Sequence, residues 1–186
     1  IPATRLHRAK LVSFMTLLPL VAEAQVHRAR TREKSLCPQI WALLDHVCDP
    51  EIPVISIWDL GVLQDVTEHE SRVEVAITPT YSGCPAMREI ENDICKTLKR
   101  AGYSPIEVIT RLSPAWSTDW MSEKGKQQLM DFGIAPPTPT RQVRKVICPQ
   151  CVSTDNTVIS EFGSTACKAL YKCNNCLEAF DYFKCI

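Results

Sequence analysis

Cysteine dominates the chemistry available to this chain, with ten among 186 residues. Cys148-Pro149-Gln150-Cys151 and Cys173-Asn174-Asn175-Cys176 are two CxxC pairs with 21 residues between them. Each such turn presents two sulfurs on one side, and two turns complete the tetrahedron of a four-thiolate zinc site. The interval slightly exceeds the usual range for this pattern, an excess that a ribbon loop absorbs at small entropic cost. The same four ligands would also suit an iron–sulfur cluster, and as two disulfides they would suit an exported chain.

A fifth thiol, Cys84, stands in Thr78-Pro79-Thr80-Tyr81-Ser82-Gly83-Cys84-Pro85. Proline and glycine make this segment a loop, and Pro85 suits the first turn of a following helix. Unpaired N–H groups at a helix start favour an anion. A thiol there is expected to ionise easily and to act as a nucleophile or metal ligand. Gly83 leaves room for a partner to approach the backbone. The competing reading of Cys84 is a buried packing thiol.

Asp49 and Glu51 flank Pro50 in a stiff loop, where both carboxylates could point toward an adjacent thiol or metal. From the residues alone, helix-stop and turn chemistry is the favoured account of them. Cys167 sits in the small-residue run Gly163-Ser164-Thr165-Ala166-Cys167, and Cys185 follows the aromatic run Phe180-Asp181-Tyr182-Phe183. They read as additional iron–sulfur or redox thiols, or as packing. His46, Cys48 and Cys95 read as a helix-end cap and packing residues. Trp116 and Trp120 offer either a recognition surface or a core plug.

These residues need elements to position them. Pro38 opens a helix carrying Ile40, Trp41, Leu44 and Val47 at helical spacing, which Asp49-Pro50 stops. Residues 62–66 and 72–77 read as strands joined by a polar turn. Ile90, Ile94 and Leu98 form the apolar stripe of a second helix, closed by Gly102. A third strand over 106–112 and a short helix over 122–132 complete a small α/β sandwich, an α+β unit over 37–135. Ala135-Pro136-Pro137-Thr138-Pro139-Thr140 marks a linker over 136–142. Strand composition over 143–147, 157–162, 165–171 and 179–183 makes 143–186 a C-terminal β zinc ribbon. A unit that small depends on its metal.

Charge divides the same way. Residues 1–36 carry 7 basic and 2 acidic side chains, residues 37–135 carry 8 and 15, and residues 136–186 carry 6 and 4. An acidic centre repels a phosphate backbone and argues against nucleic-acid binding. No run reaches the ~20 apolar residues of a membrane span. Residues 1–24 have the outline of a secretory signal: Arg5, Arg8 and Lys10, an apolar stretch, then Ala22-Glu23-Ala24. Pro19 interrupts that stretch, and four free thiolates want a reducing compartment. The reading is therefore a cytoplasmic protein whose residues 1–36 are a poorly ordered basic leader, dispensable for folding. The chain begins at Ile1, and Met15 is an alternative start.

Long stretches resemble the PaaD family, encoded with the phenylacetyl-CoA epoxidase of aerobic bacteria. They are Asp49-Pro50-Glu51-Ile52-Pro53-Val54, Asp59-Leu60-Gly61, the loop from Thr78 to Pro85, and Pro114-Ala115-Trp116-Ser117-Thr118-Asp119-Trp120. Glu161 to Cys173 and Phe180 to Ile186 resemble it too, so the likeness spans residues 37–186. It implies an α/β domain of the iron–sulfur-maturation type and an accessory role to the epoxidase, assembling, inserting or repairing an iron–sulfur or iron centre. A noncatalytic scaffold within the epoxidase complex is the alternative. Cys84 corresponds to the reactive position of the wider family, with Asp49, Glu51, Thr80 and Gly83 as its supporting loops. The implied cofactors are structural zinc and a transient cluster or iron. The implied partners are the oxygenase and reductase components and the iron–sulfur assembly machinery, with self-association left open. A thiol enzyme fits poorly, because no histidine lies in the Cys84 loop.

Overall fold

The computed structural model describes residues 23–138 and 146–184. Its centre is a three-stranded sheet of order β1-β2-β3, formed by β1 (Leu63–Glu68), β2 (Val73–Ile77) and β3 (Ile106–Thr110). β1 and β2 are antiparallel, Leu63 opposite Ile77, with an irregularity between Leu63 and Asp65. β3 runs parallel to β2, Val75 opposite Val108. A parallel neighbour needs a crossover, and α3 (Met87–Arg100) supplies it. Ile90, Ile94 and Leu98 of α3 are fully buried, as the apolar stripe requires. Gly102, at φ +91°, ends the helix in a Schellman turn: its N–H donates to Lys99 O and that of Tyr103 to Leu98 O. α2 (Pro38–Leu44) packs against α3 and buries Ile40, Trp41 and Leu44.

Trp116 is buried and donates its indole N–H to Leu60 O at 3.2 Å, so it serves as a core plug. α4 (Glu123–Asp131) begins at Ser122, whose hydroxyl accepts from Gly125 N. The Ser122 hydroxyl also donates to Asp59 Oδ1 at 2.6 Å. Ser56 and Lys124 bond Asp59 Oδ2, each at 2.9 Å. Burial works against the charged form of Asp59, but the bonds from Ser122, Lys124 and Ser56 outweigh it. Its pKa falls below the ordinary carboxylate value.

A second sheet has the order β4-β7-β6-β5, from β4 (Ile134–Ala135), β7 (Ala179–Phe183), β6 (Lys168–Cys173) and β5 (Asn156–Ser160). The three long strands are antiparallel, whereas β4 pairs parallel with β7. Ile134 and Ala135 thus belong to the ribbon sheet rather than to the end of the α/β unit. Val146 and Ile147 are not in a strand, contrary to the expectation for 143–147; residues 143–145 lie outside the described residues. Phe183 packs on Trp116 with ring centroids 5.9 Å apart, seating the ribbon on the α/β core.

Part of the expected poorly ordered leader, residues 23–33, is instead helical. α1 (Glu23–Glu33) is a helix whose buried residue is Arg28. The Arg28 guanidinium stacks on Trp58 at 4.2 Å and donates to the carbonyls of Trp120, Trp58 and Leu63. Arg32 stacks on the same ring at 4.9 Å and holds Asp45 with bonds of 2.8 and 2.6 Å. Cationic side chains over tryptophan, not an apolar stripe, fasten this helix. Burial lowers the Arg28 pKa to about 10, which leaves it charged at neutral pH. Residues 1–22 lie outside the described residues.

Arg28→Ala should therefore destabilise the fold by about 2–4 kcal/mol, because buried carbonyls lose a charged donor. A shifted urea midpoint would show this; an unchanged midpoint would mean that α1 merely lies on the surface. Acid should act through Asp59. Its native pKa is depressed relative to about 3.9 in the unfolded chain, so its stabilisation is complete above that value and fades as pH falls through the native one. The stability gap between wild type and Asp59→Asn should narrow below about pH 4, as read from urea melts across pH.

Candidate functional site

Cys84 lies between the end of β2 and the start of α3. Its backbone N–H donates to Tyr81 O at 3.2 Å, and its carbonyl accepts from Met87 N at 3.4 Å. Gly83 has φ +95°, and a Cβ there would meet no atom within 4 Å. Only glycine adopts that backbone freely, and the space beside Gly83 is open. Ala86 N–H and the Thr80 hydroxyl act on the Cys84 thiol so as to lower its pKa, and the thiol in turn acts on the Tyr81 phenol.

The electrostatics reverse the expectation of an easily ionised thiol. Burial raises the Cys84 pKa, and Glu51 and Asp49 raise it further; the bonds from Ala86 and Thr80 only partly offset them. The helix-start N–H is present but outweighed, so the sulfur carries its proton at neutral pH.

Both loop carboxylates act electrostatically on this thiol. Asp49 is 7% exposed, and its Oδ1 accepts from the N–H groups of Glu51 at 2.9 Å and Ile52 at 3.0 Å. It therefore shapes the turn as well as charging the site. Burial raises the pKa of Asp49 despite these bonds, and burial together with Asp49 raises that of Glu51.

The ribbon contributes to the same place. Cys167 immediately precedes β6; its carbonyl accepts from Lys184 N, and its thiol lies 3.0 Å from Thr165 Oγ1. It is buried in the core cluster against which Cys84 and Tyr81 pack. Burial raises its pKa first, with Glu51 and Asp49 adding to the rise. Tyr81 senses Cys84, Cys167 and Glu51 together. Lys168, which sequence reasoning passed over, is 5% exposed and pairs with Asp181 at 3.7 Å. It also acts electrostatically on Asp49, Glu51 and Cys167. A lysine buried at a strand start was the available signal, since lone lysines are seldom buried without a partner. Cys185 lies outside the described residues.

The four ribbon cysteines converge as their spacing predicts. All four sulfurs lie within 4.8 Å of one another, with Cys148 to Cys176 at 3.7 Å and Cys151 to Cys173 at 3.5 Å. A tetrahedron with metal–sulfur bonds of about 2.3 Å has sulfurs about 3.8 Å apart. The quartet therefore fits a single ion, whereas a multinuclear cluster would spread its ligands wider. The Asn175 amide reaches Cys151 Sγ at 3.6 Å and Cys176 N reaches Cys173 Sγ at 3.5 Å, outer-sphere donors suited to thiolate ligands.

The structure is an α/β unit with a loop thiol, joined to a ribbon whose four cysteines could hold a metal ion. Residues 38–103 match the family model of iron–sulfur cluster assembly proteins, and residues 134–184 match that of the PaaD zinc β-ribbon domain. The chain belongs to the PaaD family. It is 44% identical over 176 residues, 92% of its length and 100% of the relative's, to a candidate subunit of 1,2-phenylacetyl-CoA epoxidase from Escherichia coli (strain K12). A solved domain of unknown function, DUF59, from Bacillus anthracis is 30% identical, with a TM-score of 0.46 over 56% of this chain and 95% of that one. A conserved hypothetical protein from Thermotoga maritima is 24% identical, with a TM-score of 0.43 over 50% and 91%. Among the described residues, no helix is long and apolar enough to cross a membrane.

Removing the ribbon metal with a strong chelator should unfold the ribbon and free Phe183 from Trp116. Tryptophan fluorescence should shift in wild type and much less in Trp116→Phe. An unaltered spectrum and intact ribbon resonances after chelation would show that the ribbon holds without metal.

Proposed function

We propose that this protein is an accessory factor of phenylacetyl-CoA epoxidase that assembles, inserts or repairs an iron–sulfur or iron centre in that system. The observation carrying this reading is Cys84: a protonated thiol beside an open glycine, under the electrostatic influence of Glu51, within the segment that matches iron–sulfur cluster assembly proteins. The metal is cargo. A thiol that must shed its proton to bind holds iron less tightly than a standing thiolate does, which suits delivery over storage. Asp49, Thr80 and Gly83 shape the pocket, and Glu51 offers a carboxylate beside it. Zinc in the Cys148, Cys151, Cys173 and Cys176 quartet is structural. The clients are the oxygenase and reductase components, served together with the iron–sulfur assembly machinery in the cytoplasm.

A second reading is a noncatalytic scaffold within the epoxidase complex. The E. coli relative's name, which makes it one of the epoxidase subunits, favours that reading.

The two separate on one substitution. Cys84→Ala should leave folding and ribbon zinc intact while abolishing iron loading and turnover of coexpressed epoxidase. Iron content and turnover of the purified complex measure this. Full loading and normal turnover with well-folded Cys84→Ala would remove the maturation reading and leave the scaffold. Should the alanine variant unfold, Cys84→Ser, nearly the same size, serves for the same comparison.

A further inference from the structure

Between α1, Trp58 and the start of α4 opens a recess of about 390 Å³. That lies within the roughly 300–1,000 Å³ of small-molecule sites. Val26, Ala29 and the Trp58 indole make its walls mostly apolar. Gln25 and Arg28 of α1 also line it; they stand three residues apart and so share one helix face.

Arg28 is 6% exposed, and its Nε–H has no hydrogen-bond partner. The rest of its guanidinium is committed. Nη1 donates to Trp120 O, Nη2 donates to Trp58 O and Leu63 O, and the Trp58 ring lies 4.2 Å away. These contacts hold the guanidinium plane still, so Nε cannot turn toward another acceptor. Gln25 donates through Nε2 to Met121 O at 3.0 Å, which leaves Oε1 as its free acceptor, also buried and without a partner. One helix face thus buries a donor and an acceptor and satisfies neither, a state that native structures seldom leave without a reason. Charge is not the unmet need. Arg28 and Arg30 balance Glu33 and Glu123 around the recess, so no surplus draws an anion in. A carboxylate would answer Arg28 but set its oxygens against Gln25 Oε1. A primary amide answers both, because its carbonyl accepts from Nε–H and its N–H donates to Oε1.

We propose that this recess binds a small uncharged ligand with an apolar body and a terminal primary amide. Arg28 Nε and Gln25 Oε1 hold the amide, and the body packs among Val26, Ala29 and Trp58. Binding makes and breaks no covalent bond, and the site is independent of the reading of Cys84.

The test titrates benzamide into the full chain, zinc-loaded and labelled with nitrogen-15. The Arg28 Nε–H and Trp58 indole resonances should shift together and saturate, and benzoate at the same concentrations should leave them in place. Gln25→Met, similar in size, should weaken benzamide binding roughly 2–10-fold, the loss of one neutral hydrogen bond. Ala29→Trp, at an exposed position of α1, should fill the recess and abolish binding. The absence of a saturable shift with benzamide overturns the proposal, as does benzoate binding as tightly as benzamide. Undiminished affinity in either variant also overturns it. The two wild-type titrations decide the matter by themselves if Gln25→Met does not fold.

Discussion

The ribbon is seated on the α/β unit through one aromatic contact, the Phe183 ring against Trp116. Trp116 is itself pinned by its indole bond to Leu60 O, so the ribbon rests on a fixed surface. β7 carries Phe183 and pairs with both β4 and β6, so seating this one ring orients the whole ribbon sheet. Cys167 and Lys168 follow, because Lys168 is the register partner of Phe183. An aromatic contact of this kind is worth roughly 0.5–1.5 kcal/mol beyond its area burial. That is modest, and the β4–β7 pairing and the buried joint residues must share the load.

The second organising effect is loss of water. Cys84, Cys167, Asp49 and Glu51 all have raised pKa values, with burial the largest cause in each. Burial thus favours the uncharged form of each of these groups. Asp59 shows the opposite outcome under similar burial, because three donors converge on it. The contrast lies in the donors: three side chains converge on Asp59, and the bonds that Asp49 accepts do not offset its burial.

Much of the α/β unit was legible. Alternation at Val73, Val75 and Ile77, the stripe of α3 and the glycine at its end all act locally, so their pattern survives folding unchanged. The ribbon quartet was legible because CxxC spacing is itself a geometry. α1 was not, since the residue it buries is an arginine and its hold is cationic stacking on Trp58, which leaves no apolar periodicity to read. β4 was missed because two residues make no pattern; the partner strand decides them. The Cys84 turn was found, but the state of its thiol was misjudged, because helix-start chemistry is local while desolvation comes from the whole fold. Cys167 remained a leftover for the same reason: its neighbours come from loops far away in sequence.

The placement of Phe183 also sets an order in time. Translation delivers Cys84 about 100 residues before Phe183. About 50 residues separate the end of α4 from Phe183, so at roughly 5–20 residues per second the completed α/β unit waits on the order of 3–10 s before its docking ring is made. Until then Trp116 lacks its cover, and synthesis order alone keeps the joint between the two units incomplete on the nascent chain.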